Sequence, residues 1–329
     1  MLQYQILKSL KGGSFSSTMV IELPDGDVRV RKFISRFENR EFGLVRWQSQ
    51  IRRLQHLHSI LPDNTPRIIE MGVDGSNFYY DIPFYKDSEN LFDFLSKRGK
   101  SEAVDIFKKL NSLINTYSKI SYGNVVGSFS VFFAEEVLSR LEDSASQLEE
   151  ACRSGSISND ELSYVRNSIV LVTPIIDKII LDSKSLTIEE TLTHGNLTLE
   201  NALYDHRLDQ IILIDPYSET YSESVLGDYS QLLQSSVSMY EAIVAEGEEA
   251  IGEFFERTGN HVKSGVDDFG DCLLQHLSSF HSDKMDIINL FHSAQFIRMF
   301  PFKIASNPRL AIYFLLHGLN IIKEVDCNA

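Results

Sequence analysis

Cysteine is scarce in this chain: Cys152, Cys272 and Cys327 are the only three in 329 residues, and they fall in no C-x-x-C or C-x-x-H spacing. That excludes a disulfide framework and leaves no zinc-ligand pattern, so reduced, inert thiols are expected. Long apolar runs are missing too. The two best stretches are interrupted, 168–181 by Pro174 and Asp177 and 311–322 by His317, and neither reaches the roughly 20 uncharged residues that a membrane helix needs. Residues 1–11 alternate polar and apolar side chains without a signal-peptide core, so a cytoplasmic protein with no membrane insertion is expected. Basic residues are in deficit, 31 Lys and Arg against 46 Asp and Glu, for a formal net charge of -15. The average field repels a nucleic-acid backbone, so no nucleic-acid partner is expected, and a small cationic substrate gains from the field. Internal repeats, low-complexity tracts and Gly/Ser/Pro-rich linkers are absent as well; 153–160 reads as a helix-to-helix turn.

Periodicity divides what is present into two regions. Residues 1–85 read as a strand-rich unit with one helix. After a first strand comes a Gly-Gly-Ser turn, and then 19–23 and 28–33 alternate in strand fashion around Pro24-Asp25-Gly26. There Pro presets φ and Gly permits φ > 0. Residues 40–61 switch to helical period, with Leu44, Trp47, Ile51, Leu54, Leu57 and Leu61 on one stripe. Pro62 and Pro66 end that helix, and strands are expected over 67–72 and 77–82 about an Asp74-Gly75 turn. Residues 86–329 read as mainly helical, with helices near 89–97, 101–120, 129–153, 158–183, 228–246, 247–258, 265–281, 283–299 and 307–323. One island, 193–215, lacks a helical stripe, and 210–214 within it is a short apolar strand. Loops of this kind aim side chains and backbone at ligands. Asp228 and Gln231 form a capping-box pattern, and the remaining histidines are scattered without metal-ligand spacing.

The island carries His194-Gly195-Asn196-Leu197-Thr198-Leu199-Glu200-Asn201, followed after a hairpin-like turn by Ile212-Leu213-Ile214-Asp215-Pro216. This resembles the HGDxxxxN and IDP signature of the aminoglycoside and choline phosphotransferase group, relatives of the protein kinases with their HRDxxxxN and DFG elements. The upstream order, a Gly-rich turn between strands, a Lys in the next strand and then a helix, resembles the nucleotide clamp of the same folds. The resemblance implies an α+β, bilobal protein kinase-like fold: a small antiparallel-sheet lobe with one helix over 1–85, and a larger, mainly helical lobe over 86–329. It further implies binding of ATP with Mg2+. In that scheme backbone N–H groups of Gly12, Gly13 and Ser14 approach phosphate oxygens, and Lys32 contacts the α and β phosphates. Gln48 or Gln50, with Glu41 behind them, stands where the family's helix residue pairs with that lysine. Asp81, Ile82 and Phe84 lie in the hinge that reads adenine, while Asn201 and Asp215 hold Mg2+. Amide and carboxylate oxygens are the hard donors that a magnesium nucleotide requires. Each residue also has an ordinary alternative: a Lys head in water, a strand leaving through a Pro turn, an Asn or Asp in a turn.

One departure matters most. The family has Asp after His-Gly, placed to orient or accept the proton of the attacking hydroxyl, and this chain has Asn196. An amide is no general base at neutral pH, and loss of general-base help costs on the order of 10²- to 10⁴-fold. It still holds a hydroxyl in line, and phosphoryl transfer rests chiefly on positioning and electrostatics. Three readings stand open: a slow or unusual kinase, a nucleotide-binding pseudokinase that regulates a protein partner, or an Asp→Asn exchange that traps a substrate complex. The leading expectation is a phosphotransferase acting on a small-molecule hydroxyl. A sugar or sugar derivative is favoured, because similar proteins occur in capsular polysaccharide pathways, and aminoglycoside or choline-like amines come next.

Overall fold

The computed structural model describes residues 4–10, 16–35, 40–218, 221–246 and 264–328. They fall into two compact units, the first comprising 1–94, 115–117 and 194–218, the second comprising 95–114, 118–193 and 219–329. The chain belongs to the α+β class, with an antiparallel-sheet N-terminal region and a mostly helical larger part, as the sequence leads one to expect. Residues 194–218 group with the N-terminal residues.

The first unit is built on a five-stranded antiparallel sheet. Its strands are β1 (Gln5–Leu10), β2 (Ser16–Glu22), β3 (Val28–Ser35), β4 (Glu70–Asp74) and β5 (Asn77–Pro83), in the order β1-β2-β3-β5-β4. The β2–β3 hairpin turns where Gly26 takes φ +85°, a backbone region that costs glycine nothing. Helix α1 (Arg40–Ile60) lays Ile51 and Leu54 against Tyr80 of β5, with Trp47, Ile68 and Ile82 around them. A second, three-stranded sheet orders β10 (Gln210–Leu213), β9 (Ala202–Asp205) and β6 (Ser88–Asn90). Asn64, in the turn after α1, ties this sheet in: its side chain donates to Ile211 O at 2.8 Å and its carbonyl accepts from Leu213 N at 2.7 Å. The strand expected from residue 67 begins at Glu70, and β6 and β9 were not expected. At three and four residues they are too short to display a period of two.

The chain passes to the second unit within α2 (Leu91–Ser96). Here lie most of α3 (Lys100–Tyr117), then α4 (Ser128–Phe133), which continues through a π-helical segment, Ala134–Leu138, into α5 (Ser139–Arg153), and α6 (Asn159–Asp182). A two-stranded ladder joins β7 (Ser121–Val126) to β8 (Thr187–Thr191). Every residue of β7 is exposed, which removes the alternation that would have marked it as a strand. The helix expected over 228–246 is two helices, α7 (Val225–Ser236) and α8 (Tyr240–Glu246), divided where Met239 takes φ +52°. Ser224 caps α7, accepting from Leu226 N, so Asp228 sits inside the helix and its capping-box reading is corrected. The boxes that form are Ser158 with Glu161 and Ser264 with Asp267. Helices Gly265–Phe280, Met285–Ile297, Phe300–Lys303 and Pro308–Asn328 follow, and the helix expected over 247–258 lies outside the described residues. Ile243, Phe296, Leu310, Tyr313 and Phe314 form one core of this unit.

Candidate functional site

Lys32 sits in the middle of β3, opposite Thr18 of β2 on one side and Tyr80 of β5 on the other. Its Nζ lies 2.5 Å from Asp215 Oδ1, with the lysine side chain 6% exposed and the aspartate side chain 30% exposed. The ordinary fate of a strand lysine, a head group in solvent, is therefore excluded. Burial pulls the Lys32 pKa down, and the Asp215 charge and hydrogen bond oppose that shift. At Asp215 burial pushes upward, but the charges of Lys32, Arg46 and His194 and the Lys32 hydrogen bond outweigh it, so the carboxyl lies below its usual range. The carboxylate is ionised at neutral pH, and its partial exposure leaves one side open to a second cation.

The loop 194–201 and the turn at 214–217 are knitted together by short-range bonds. Asn196 Nδ2 donates to the carbonyl of Asp215 at 3.0 Å, and Asn201 Nδ2 donates to the carbonyl of Asn196 at 2.9 Å. Ile214 N donates to Asn201 O at 2.9 Å, and Tyr217 N donates to His194 O at 2.8 Å. Gly195 at φ +73° supplies the reversal that lets the loop fold back. Asp215 itself takes φ +56°. A non-glycine residue in that region stores strain of order 1–3 kcal/mol, which persists only where the surroundings enforce it. His194 is fully buried; burial lowers its pKa to about 4, against a hydrogen bond to the Ile214 backbone and the charge of Asp215.

The donor set fits Mg2+. The amide nitrogen of Asn201 is engaged by the Asn196 carbonyl, so its oxygen is the atom that could serve a cation, with the Asp215 carboxylate as a second donor. Among the described residues no group of three His, Cys, Asp or Glu side chains is placed to form an all-protein metal cage. Two hard oxygen donors suit an ion whose remaining positions are filled by substrate phosphate and water.

Other expected residues are placed as follows. Gly12, Gly13 and Ser14 lie outside the described residues, as does the side chain of Glu41. Gln48 is exposed, whereas Gln50 is 1% exposed with Oε1 buried and unpaired. Neither is the observed partner of Lys32, which is Asp215. Asp81 is fully buried and grips Arg31 with both carboxylate oxygens, at 2.7 and 2.8 Å, while its carbonyl accepts from Ile69 N at 2.8 Å. Ile82 packs beside the α1 core, and Phe84, past the end of β5, is 37% exposed. Sequence reasoning missed three side chains. Tyr80, across the ladder from Lys32, has its pKa raised first by burial and then by the charge of Asp215. Arg53 donates to Ser218 Oγ, and Arg46 stacks its guanidinium over the Tyr217 ring. The signal was available: residues 46, 50 and 53 share one helical face, polar among apolar stripes.

Against this geometry, the chain is similar over 98% of its length to a solved structure of a putative fructosamine-3-kinase from Thermobifida fusca, covering 95% of that chain with a TM-score of 0.55 at 12% identity. A putative fructosamine-3-kinase from Haemophilus somnus is similar over 98% of this chain and 92% of its own, with a TM-score of 0.53 and 14% identity. At these identities the likeness shows a shared fold. No protein-family model matches the sequence, and no curated protein is found similar to it.

Proposed function

We propose that this chain is an ATP-dependent phosphotransferase acting on a small-molecule hydroxyl, with sugars and sugar derivatives as the favoured acceptor class. The observation that carries the reading is the buried Lys32–Asp215 pair, joined by the side-chain amide of Asn196 to the Asp215 carbonyl and by that of Asn201 to the Asn196 carbonyl. A shared fold with two putative fructosamine-3-kinases supports the sugar class.

In this reading Lys32 contacts the phosphates as a point charge, and Asn201 and Asp215 hold Mg2+ by their oxygens. The metal supplies neutralisation of charge on the phosphate oxygens. Gly12, Gly13 and Ser14 offer backbone N–H groups, and residues 82–84 border the adenine. Asp81 is a structural residue in this scheme, since its carboxylate and carbonyl are both occupied. Asn196 orients the acceptor hydroxyl without taking its proton, which leaves with the phosphorylated product or to water.

A second reading is favoured by one observation: the Asn196 amide is spent on the carbonyl of Asp215, a holding role that needs no catalysis. A nucleotide-binding pseudokinase with a protein partner would keep that bond. The two separate in a turnover assay with Mg-ATP and a panel of sugars and amino alcohols. An enzyme releases ADP in an acceptor-dependent way that Asp215→Ala abolishes, and Asn196→Asp raises the rate by roughly 10²- to 10⁴-fold. Nucleotide binding with no acceptor-dependent turnover in either form overturns the enzyme reading.

A further inference from the structure

Helix α1 meets the segment after Asp215 with cations. From Phe42 to Ile60 it contains no Asp or Glu, and Arg46, Gln50 and Arg53, spaced four and three apart, share one face. Arg53, 6% exposed, donates to Ser218 Oγ from Nε at 3.0 Å and from a terminal nitrogen at 2.9 Å. Two turns earlier on the same face, the Arg46 guanidinium carbon lies 5.1 Å from the centroid of the Tyr217 ring. Gln50, between them, is 1% exposed and its Oε1 is buried without a hydrogen-bond partner. This face therefore runs along residues 217–218, immediately beyond the Lys32–Asp215 pair. The charge of Arg46 reaches that pair: it depresses the pKa values of Lys32, Tyr80 and Asp215 alike. Lys32 and Arg46 thus both act on the Asp215 carboxylate, the first by direct contact and the second through its charge.

We propose that Arg46 is a phosphate-positioning residue: its guanidinium holds the terminal phosphates of a nucleoside triphosphate from the α1 side, beside Lys32. The inference rests on the nucleotide reading of Lys32 and Asp215. A guanidinium offers a planar fork of donors that matches two phosphate oxygens at once, which an ammonium does not. The ring of Tyr217 under that fork limits its rotation and so reduces the entropy lost on binding.

The test titrates a non-hydrolysable Mg-ATP analogue and, separately, adenosine against the wild type, Arg46→Ala and Arg46→Lys. Fluorescence of Trp47, the single tryptophan and the neighbour of Arg46, is one readout and calorimetry the other. The expected result is a loss of about 10- to 100-fold in affinity for the triphosphate in Arg46→Ala, an intermediate loss in Arg46→Lys and no change for adenosine. Equal triphosphate affinity in all three proteins overturns the inference and leaves the nucleotide reading standing. Equal losses for triphosphate and adenosine also overturn it, because Arg46 then acts only in packing. A wild type that binds no triphosphate overturns both. Should Arg46→Ala fail to fold, Arg46→Lys and Arg46→Gln carry the same comparison.

Discussion

Asp81 illustrates how a residue's neighbours decide its role. In the sequence it stands in a segment that resembles a nucleotide-reading hinge, and its carboxylate looks available. In the sheet it lies directly across from Arg31, and the two fully buried side chains form a two-pronged ion pair, with Tyr79 placing its ring 4.0 Å from the Arg31 guanidinium carbon. Removing one partner of a buried pair leaves an uncompensated charge, at a cost of about 3–5 kcal/mol. Asp81→Ala is therefore expected to lower the unfolding free energy by that amount in a urea titration. Unchanged stability with weakened nucleotide binding would return Asp81 to the hinge. Lys32 and Asp215 form the contrasting case. Asp215 keeps an exposed side and a left-handed backbone, whereas Asp81 has neither.

At the scale of elements, close approach between helices is set by the smallest side chains. Gly318, in helix Pro308–Asn328, faces helix Met285–Ile297 so closely that an added Cβ would lie 2.7 Å from Ile297 Cγ1 and 2.9 Å from the carbonyl of Ser293. The first contact is relieved by a rotamer change, but the second is with backbone and requires the helices to separate. Gly318→Ala is expected to destabilise by about 1–3 kcal/mol through overpacking, even though alanine is the better helix former. Chemical denaturation reads this directly, and a gain in stability would show that the two helices have slack. Helix boundaries were less legible than helix existence. Ser224 and Asp228 both offer cap chemistry, and the choice fell to Ser224 because α7 then begins early enough to bury Leu226.

Across the whole molecule, buried histidines set an acid limit. Ser238 Oγ lies 3.1 Å from His292 Nε2 and 2.8 Å from His317 Nε2. Burial lowers the His317 pKa to about 4; burial, reinforced by the neighbouring His317, lowers that of His292 to about 3. His194 in the first unit is lowered to about 4, also by burial first. Each is neutral when folded and takes up a proton near pH 6.5 when unfolded. Below pH 6.5 the unfolded chain binds more protons than the folded one, so stability falls as pH drops toward 4. Each histidine forfeits on the order of 3 kcal/mol at full effect, a large share of a typical total of about 5–15 kcal/mol. Circular dichroism is expected to show cooperative unfolding between pH 6.5 and 4. His317→Gln should shift the midpoint to lower pH, and an acid midpoint that the substitution leaves unmoved would contradict the assignment.

The sequence by itself determined the α+β class, the strand-rich start, α1, and the spacing of Asn196, Asn201 and Asp215, because each is written in local period or in motif order. It did not determine who meets whom. Lys32 finds Asp215 across 183 residues, β7 finds β8 beyond three intervening helices, and His292 and His317 converge on Ser238 from separate helices. Only the tertiary structure decided those pairings. Burial gives a polar group no water to fall back on, so its partner is whichever group the packed chain brings within reach, however distant in sequence.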